Sequence, residues 1–83
     1  MSVLMYPIAT EKALNMVETQ NTITYVVDLR ADKKKIKGEF EKVFNVKVAR
    51  VNIAIEPYNE KRAYIRLEKE SSAPDVAKKL KLV

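Results

Sequence analysis

Asn45-Val46-Lys47-Val48-Ala49-Arg50-Val51-Asn52-Ile53-Ala54-Ile55, followed five residues later by Lys61-Arg62-Ala63-Tyr64-Ile65-Arg66-Leu67, is the stretch whose periodicity decides the fold. Val51, Ile53 and Ile55 alternate with Asn52 and Ala54, and Ala63, Ile65 and Leu67 alternate with Tyr64 and Arg66. That period of two marks strands with one buried and one wet side. The break between them, Glu56-Pro57-Tyr58-Asn59-Glu60, is polar and carries proline and asparagine, so the two runs should form an antiparallel hairpin. Val46 and Val48 share a parity while Val51, Ile53 and Ile55 take the other, a phase change that predicts a bulge near Ala49-Arg50. The wet side then presents Arg50, Asn52, Arg62, Tyr64 and Arg66.

Upstream of the hairpin, Val3-Leu4-Met5-Tyr6 is a short apolar run stopped by Pro7, which suits an edge strand. Thr10 is placed to cap a first helix from Glu11, with Ala13, Leu14, Val17 and Met16 as its apolar positions and Thr19-Gln20-Asn21 as its end. Asn21 to Leu29 alternates as a second strand, with Ile23, Tyr25, Val27 and Leu29 on one side. Asp32 caps a second helix whose apolar positions are Ile36, Phe40, Val43 and Phe44, with Lys33, Lys34, Lys35, Lys37, Glu41 and Lys42 towards solvent. Gly38 interrupts that helix at a cost of roughly 1 kcal/mol relative to alanine, and close packing of the helix on the sheet would explain it. A last helix opens at Ser72 or Ala73 with Pro74 in its first turn and Val76, Ala77, Leu80 and Val83 facing inward.

The element order is strand, helix, strand, helix, strand, strand, helix. A right-handed crossover through the second helix makes the second and third strands parallel, and the hairpin places the fourth between them. We therefore expect an α+β fold with a four-stranded antiparallel sheet of order 1-2-4-3, helices mainly on one face and the other relatively open. Phe40 should be buried against Ile23, Val27 and Ile65. At 83 residues the whole chain, 1–83, reads as one domain.

Composition narrows the chemistry. Sixteen lysines and arginines against 11 acidic residues give a net charge of +5, and the isoelectric point is about 9.5. Such a balance fits nucleic acid as a partner, or a charged surface that serves only solubility, because acidic residues are interspersed and only the segment from Asp32 to Lys37 is a cluster. Cysteine and histidine are both absent, which removes thiolate nucleophiles, the usual zinc ligands, disulfides and the commonest general base. Ser2, Ser71 and Ser72 have no histidine to activate them, and Glu11, Glu18, Asp28, Asp32, Glu39 and Glu41 have no evident pairing in a pocket. A single glycine leaves no phosphate-cradling loop, including the one an acylphosphatase-like enzyme needs. Neither an enzyme nor a cofactor or metal site is expected. The start has no charged region followed by a long apolar run, and no segment approaches the ~20 apolar residues of a membrane span. An intracellular setting without membrane insertion is the expectation.

On the wet side of the hairpin, Tyr64 with Arg50, Asn52, Arg62 and Arg66 either clamps RNA or merely covers an exposed sheet face, and the helix lysines either meet phosphates or are solvated. An RNA-recognition motif would carry more strand aromatics and a glycine-rich octapeptide, both missing here. The segments Tyr6-Pro7-Ile8-Ala9-Thr10-Glu11-Lys12-Ala13, Asn21-Thr22-Ile23, Ile36-Lys37, Val43-Phe44-Asn45-Val46-Lys47-Val48, Val51-Asn52 and Arg62-Ala63-Tyr64-Ile65-Arg66-Leu67 together resemble the large-subunit ribosomal protein L-twenty-three family, in consecutive order over nearly the whole chain.

The resemblance implies a structural, cytoplasmic, ribosome-bound protein. It would contact large-subunit rRNA and neighbouring ribosomal proteins at the rim of the polypeptide exit tunnel, where signal recognition particle and nascent-chain chaperones dock. On that implication the docking residues are Glu11, Phe44 and Asn45, with Asn45 standing where some relatives have an acidic residue. The short loop from Glu56 to Lys61 resembles the archaeal form rather than the long basic loop of bacterial relatives. The candidate RNA-binding residues are Lys12, Lys33, Lys34, Lys35, Lys37, Lys47, Arg50, Asn52, Lys61, Arg62, Tyr64 and Arg66. Among them the strand arginines, with Lys61 and Tyr64, are expected to make the ordered contacts, and the helix lysines a longer-range attraction. A free-standing protein-interaction module is the competing reading.

Overall fold

The computed structural model describes residues 3–82. The hairpin strands β3 (Val48–Ile55) and β4 (Lys61–Leu67) pair antiparallel, with Val51 opposite Ile65 and Ile53 opposite Ala63. Between Val48, which faces Leu67, and Arg50, which faces Arg66, the register shifts. This is the bulge the phase change predicts, and its consequence is visible in the burial. Val48 and Val51 are both buried although three positions apart, while Ala49 and Arg50 are both exposed. The extra residue keeps the apolar side of β3 in phase across the irregularity. At the hairpin end, the Glu56 N–H donates to the Glu60 carbonyl at 2.8 Å and the Asn59 N–H to the Glu56 carbonyl at 3.0 Å. Asn59 takes φ 64°, the left-handed conformation that asparagine tolerates in place of glycine.

β1 (Leu4–Pro7) and β2 (Thr22–Val27) complete a four-stranded sheet of order β1-β2-β4-β3, every neighbouring pair antiparallel. Three helices, α1 (Glu11–Gln20), α2 (Lys33–Phe44) and α3 (Ala73–Lys79), give the α+β order expected from the sequence. α1 and α2 begin at the predicted caps, and α3 is capped by Ser72, one of the two residues expected to open it. The Thr10 hydroxyl accepts from Ala13 N–H, the Asp32 carboxylate from Lys35 N–H and the Ser72 hydroxyl from Asp75 N–H. These side chains supply acceptors for helix donors that have no partner within the helix.

α2 covers the side of the sheet carrying Ile23, Tyr25, Val27 and Ile65, where Ile36 and Phe40 are fully buried in the same cluster. Besides Ile55, which shares the parity of the buried Val51 but is 67% exposed at the hairpin end of the edge strand, four expectations need correction. Leu29 is 46% exposed, because β2 ends at Val27 and the chain turns at once: the Asp28 carboxylate accepts from Arg30 N–H and its carbonyl from Ala31 N–H, so Ala31 is buried instead. Val43 is 59% exposed. The last turn of α2 leans on Phe44, whose ring lies 4.6 Å from that of Phe40, and Val43, about 100° around the helix from Phe44, is left on the flank. The relatively open second face holds for Arg50, Asn52 and Arg66 but not for β2, where Thr22, Thr24 and Val26 are as buried as Ile23, Tyr25 and Val27. Residues Ala13 and Met16 of α1 line one cleft with Thr24, Arg62 and Tyr64 of that second side.

The fourth correction concerns Gly38. It is exposed, and a Cβ built there would meet no atom within 4 Å. No close approach accounts for it. Gly38→Ala is therefore expected to stabilise the protein by about 1 kcal/mol, since alanine fits the helical backbone and restricts the unfolded chain. A denaturant midpoint that stays put or falls would show that the position is not an ordinary helix interior. Val83, expected to face inward, lies outside the described residues.

Candidate functional site

Acidic groups that looked unpaired in the sequence are spent on the backbone. Glu39 accepts from the Val3 and Leu4 N–H groups at 2.7 and 3.1 Å, tying α2 to the β1 edge. The Glu41 carboxylate accepts from Val48 N–H at 2.8 Å, at the start of β3. No group of three or more potential metal ligands occurs among the described residues, and no helix is long and apolar enough to cross a membrane.

The cationic side chains divide by layer. Arg50 and Asn52 on β3 and Arg62, Tyr64 and Arg66 on β4 share one side of the sheet, in the register pairs Arg50 with Arg66, Asn52 with Tyr64 and Ala54 with Arg62. Lys12, on α1, lines the cleft that Arg62, Tyr64, Thr24 and Glu56 also line. In that cleft the Thr24 hydroxyl is buried with no partner among the described residues. Lys33, Lys34, Lys35 and Lys37 are exposed on α2, over the opposite side of the sheet. Lys47 is exposed at the foot of β3, where Glu41, Glu68 and Glu70 line the same shallow pocket. One RNA groove therefore does not reach both the strand arginines and the helix lysines unless the RNA wraps the domain.

Two members of the expected set have internal work. The Lys61 ammonium donates to the carbonyls of Leu29 and Ala31, closing the turn between β2 and α2. Arg62 donates through Nε to Glu60 at 2.8 Å and through Nη2 to the Tyr58 hydroxyl at 2.9 Å, with Glu56 3.8 Å from Nη1. The Tyr6 and Tyr58 hydroxyls also donate to Glu60, at 3.1 and 3.2 Å, so this cluster joins β1 to the hairpin end. The sequence reading missed Tyr6, Glu56, Tyr58 and Glu60. The spacing of Tyr58, Glu60 and Arg62 across a tight turn was the available signal, whereas Tyr6 is distant in sequence and had none.

The Glu60 carboxyl is held below the ordinary glutamate range, first by the Arg62 hydrogen bond and further by the two tyrosine hydroxyls, against desolvation, which pushes the other way. A carboxyl lowered in the folded state adds stability that is present above its unfolded value and lost as pH falls through the folded one. The stability advantage of wild type over Glu60→Gln should thus be present at neutral pH and shrink below about pH 5, as the carboxyl of the unfolded chain and then that of the folded one take up protons. Melting curves of the two proteins across that range check it, and a gap independent of pH would remove Glu60 from the linkage.

By contrast Arg50 and Arg66 are exposed, and no hydrogen bond or ion pair engages the side chain of either among the described residues. Asn52 is exposed and Tyr64 half-buried between them and the α1 cleft. Of the residues expected to dock factors, Glu11 is exposed in a shallow cleft with Lys12, Asn15 and Glu18. Phe44 is half-buried, its ring 6.5 Å from that of Tyr25, and Asn45 caps α2 with φ 54°. The cleft that Glu11 lines includes neither of them. Compared with known protein families, residues 2–80 match the family model described as Ribosomal protein L23.

Proposed function

We propose, from the premise that this chain belongs to the ribosomal protein L23 family and is thus a structural, non-enzymatic protein of the large ribosomal subunit, that its exposed basic sheet face binds large-subunit rRNA near the polypeptide exit tunnel. The observation that carries the reading is that Arg50 and Arg66 are exposed on one rigid sheet face without an acidic partner, beside Asn52 and Tyr64. Strands hold guanidinium forks in fixed geometry, which suits phosphate oxygens, whereas the α2 lysines on flexible stems add long-range attraction. Lys12 extends the face at the α1 cleft. Lys47 lies among carboxylates and contributes least. Lys61 and Arg62 hold the frame that presents the others.

The protein sits on the cytoplasmic ribosome against neighbouring large-subunit proteins. Glu11, Phe44 and Asn45 contribute to a docking surface for signal recognition particle and nascent-chain chaperones. Supporting that role, Glu11 is exposed and Phe44 keeps part of its ring accessible at the end of α2. Its hairpin, closed between Glu56 and Glu60, is of the short, archaeal type, with no extension to reach into the tunnel.

The test is co-sedimentation with large subunits depleted of this protein, followed by factor binding to the reconstituted particles. Wild type should co-sediment, and Glu11→Ala should do so equally while binding the targeting factor several-fold more weakly. Failure of wild type to co-sediment leaves a free-standing interaction module. Unchanged factor affinity in Glu11→Ala removes Glu11 from the docking surface.

A further inference from the structure

Arg50 stands directly opposite Arg66 on the neighbouring strand, and like charges in directly opposed positions destabilise a sheet. The hairpin register sets this juxtaposition, running unbroken from Ile55 opposite Lys61 to Arg50 opposite Arg66, and the shift falls only beyond it, before Val48. Four residues before Arg66 on β4, Arg62 has Glu60, Glu56 and Tyr58 around its guanidinium. The fold thus neutralises one strand arginine and leaves the opposed pair bare. Opposed residues of an antiparallel pair have Cβ atoms roughly 5 Å apart, so two guanidinium forks rooted there converge on one small anion.

We propose that Arg50 and Arg66 together grip a single phosphate of the RNA backbone, each guanidinium donating to the non-bridging oxygens of the same phosphodiester. This rests on the reading of the sheet face as the rRNA-binding face. It explains why the pair is tolerated: the phosphate supplies the negative charge that the protein withholds. An RNA phosphate is favoured over a carboxylate on a neighbouring protein because Asn52 and the half-exposed Tyr64 ring flank the pair and offer contacts to ribose or base.

A shared phosphate has a signature that two independent contacts lack. For a large-subunit rRNA fragment bound by the wild-type chain, each phosphate neutralised contributes roughly 0.7 to 0.9 to the slope of log affinity against log salt. Arg50→Ala and Arg66→Ala should each weaken binding about ten-fold. The double variant should lose clearly less than the product of the two, with the slope reduced by about one unit in total. Neither single variant should melt lower than wild type, because each substitution relieves the repulsion. In phosphate-ethylation interference, one modified phosphate should block wild type and cease to matter for the double variant.

Multiplicative losses with a slope change of about two units would overturn the clamp by showing two separate phosphates, while leaving the rRNA reading intact. Unaltered affinity in both variants, with loss of binding only on removal of Lys33, Lys34, Lys35 and Lys37, would overturn it by moving the interface to α2. Saturable binding to poly-glutamate and to no rRNA fragment would assign the pair to an acidic protein segment, and the rRNA reading would fall with the clamp.

Discussion

Phe40→Ala is expected to cost roughly 3 to 5 kcal/mol, the largest loss of any single substitution considered for this protein. Phe40 is fully buried and lies at the centre of an aromatic group, with Tyr25 edge-on at 6.2 Å and Phe44 at 4.6 Å. Truncation removes the transfer free energy of the ring, leaves a cavity under α2, and ends two aromatic contacts that carry energy beyond their area. Domains of this size have total stabilities near the lower part of about 5 to 15 kcal/mol, so the variant should be close to unfolded at room temperature. Urea unfolding measures it, with the slope against denaturant unchanged if only the folded state is affected. A loss under about 1 kcal/mol would mean that α2 does not rest on the sheet through this ring.

The second large effect belongs to Asn21, where three elements are joined. Its backbone is left-handed, φ 52° and ψ 40°, ending α1. Its side-chain amide donates to the carbonyls of Leu67, Glu68 and Ser71 at 3.3, 3.3 and 3.0 Å, and its Oδ1 accepts from Ala73 N–H at 2.8 Å. One residue thereby ties the end of α1 and the start of β2 to the end of β4 and the start of α3. Asn21→Ala loses these bonds and leaves in the left-handed conformation a residue without the polar side chain that lets asparagine tolerate it, so a total loss of roughly 3 kcal/mol is expected. Asn21→Gly restores the backbone but not the bonds, and should recover about 1 kcal/mol of that loss. If glycine restored wild-type stability in thermal unfolding, the position would matter only as a helix stop.

Asn21 also marks how far local reading reaches. As the end of α1 it was legible, because a helix stop is written in the few residues around it. Its amide bonds were not, since their partners lie some fifty residues away and no periodicity connects them. Arg62 follows the same logic. Its place on the wet side of β4 was evident from alternation, but Tyr6, which shares its acidic partner, comes from the far edge of the sheet. Gly38 shows the converse, a residue whose oddity invited a packing explanation that the surrounding open space does not support.

What the sequence by itself determined is the order of elements, the caps of the first two helices, the bulge and the strand order, together with the basic character of one sheet side. These depend on the period of apolar residues, on cap side chains within three positions of the amides they satisfy, and on the short hairpin and right-handed crossover that leave little choice of topology. The tertiary structure alone decided which cations are free. Lys61 is taken by the Leu29 and Ala31 carbonyls and Arg62 by Glu60, Glu56 and Tyr58, while Arg50 and Arg66 are left opposed and bare. The reason is physical: whether a charge is available to a partner depends on what folding brings within about 4 Å of it, and part of that neighbourhood comes from residues remote in the chain.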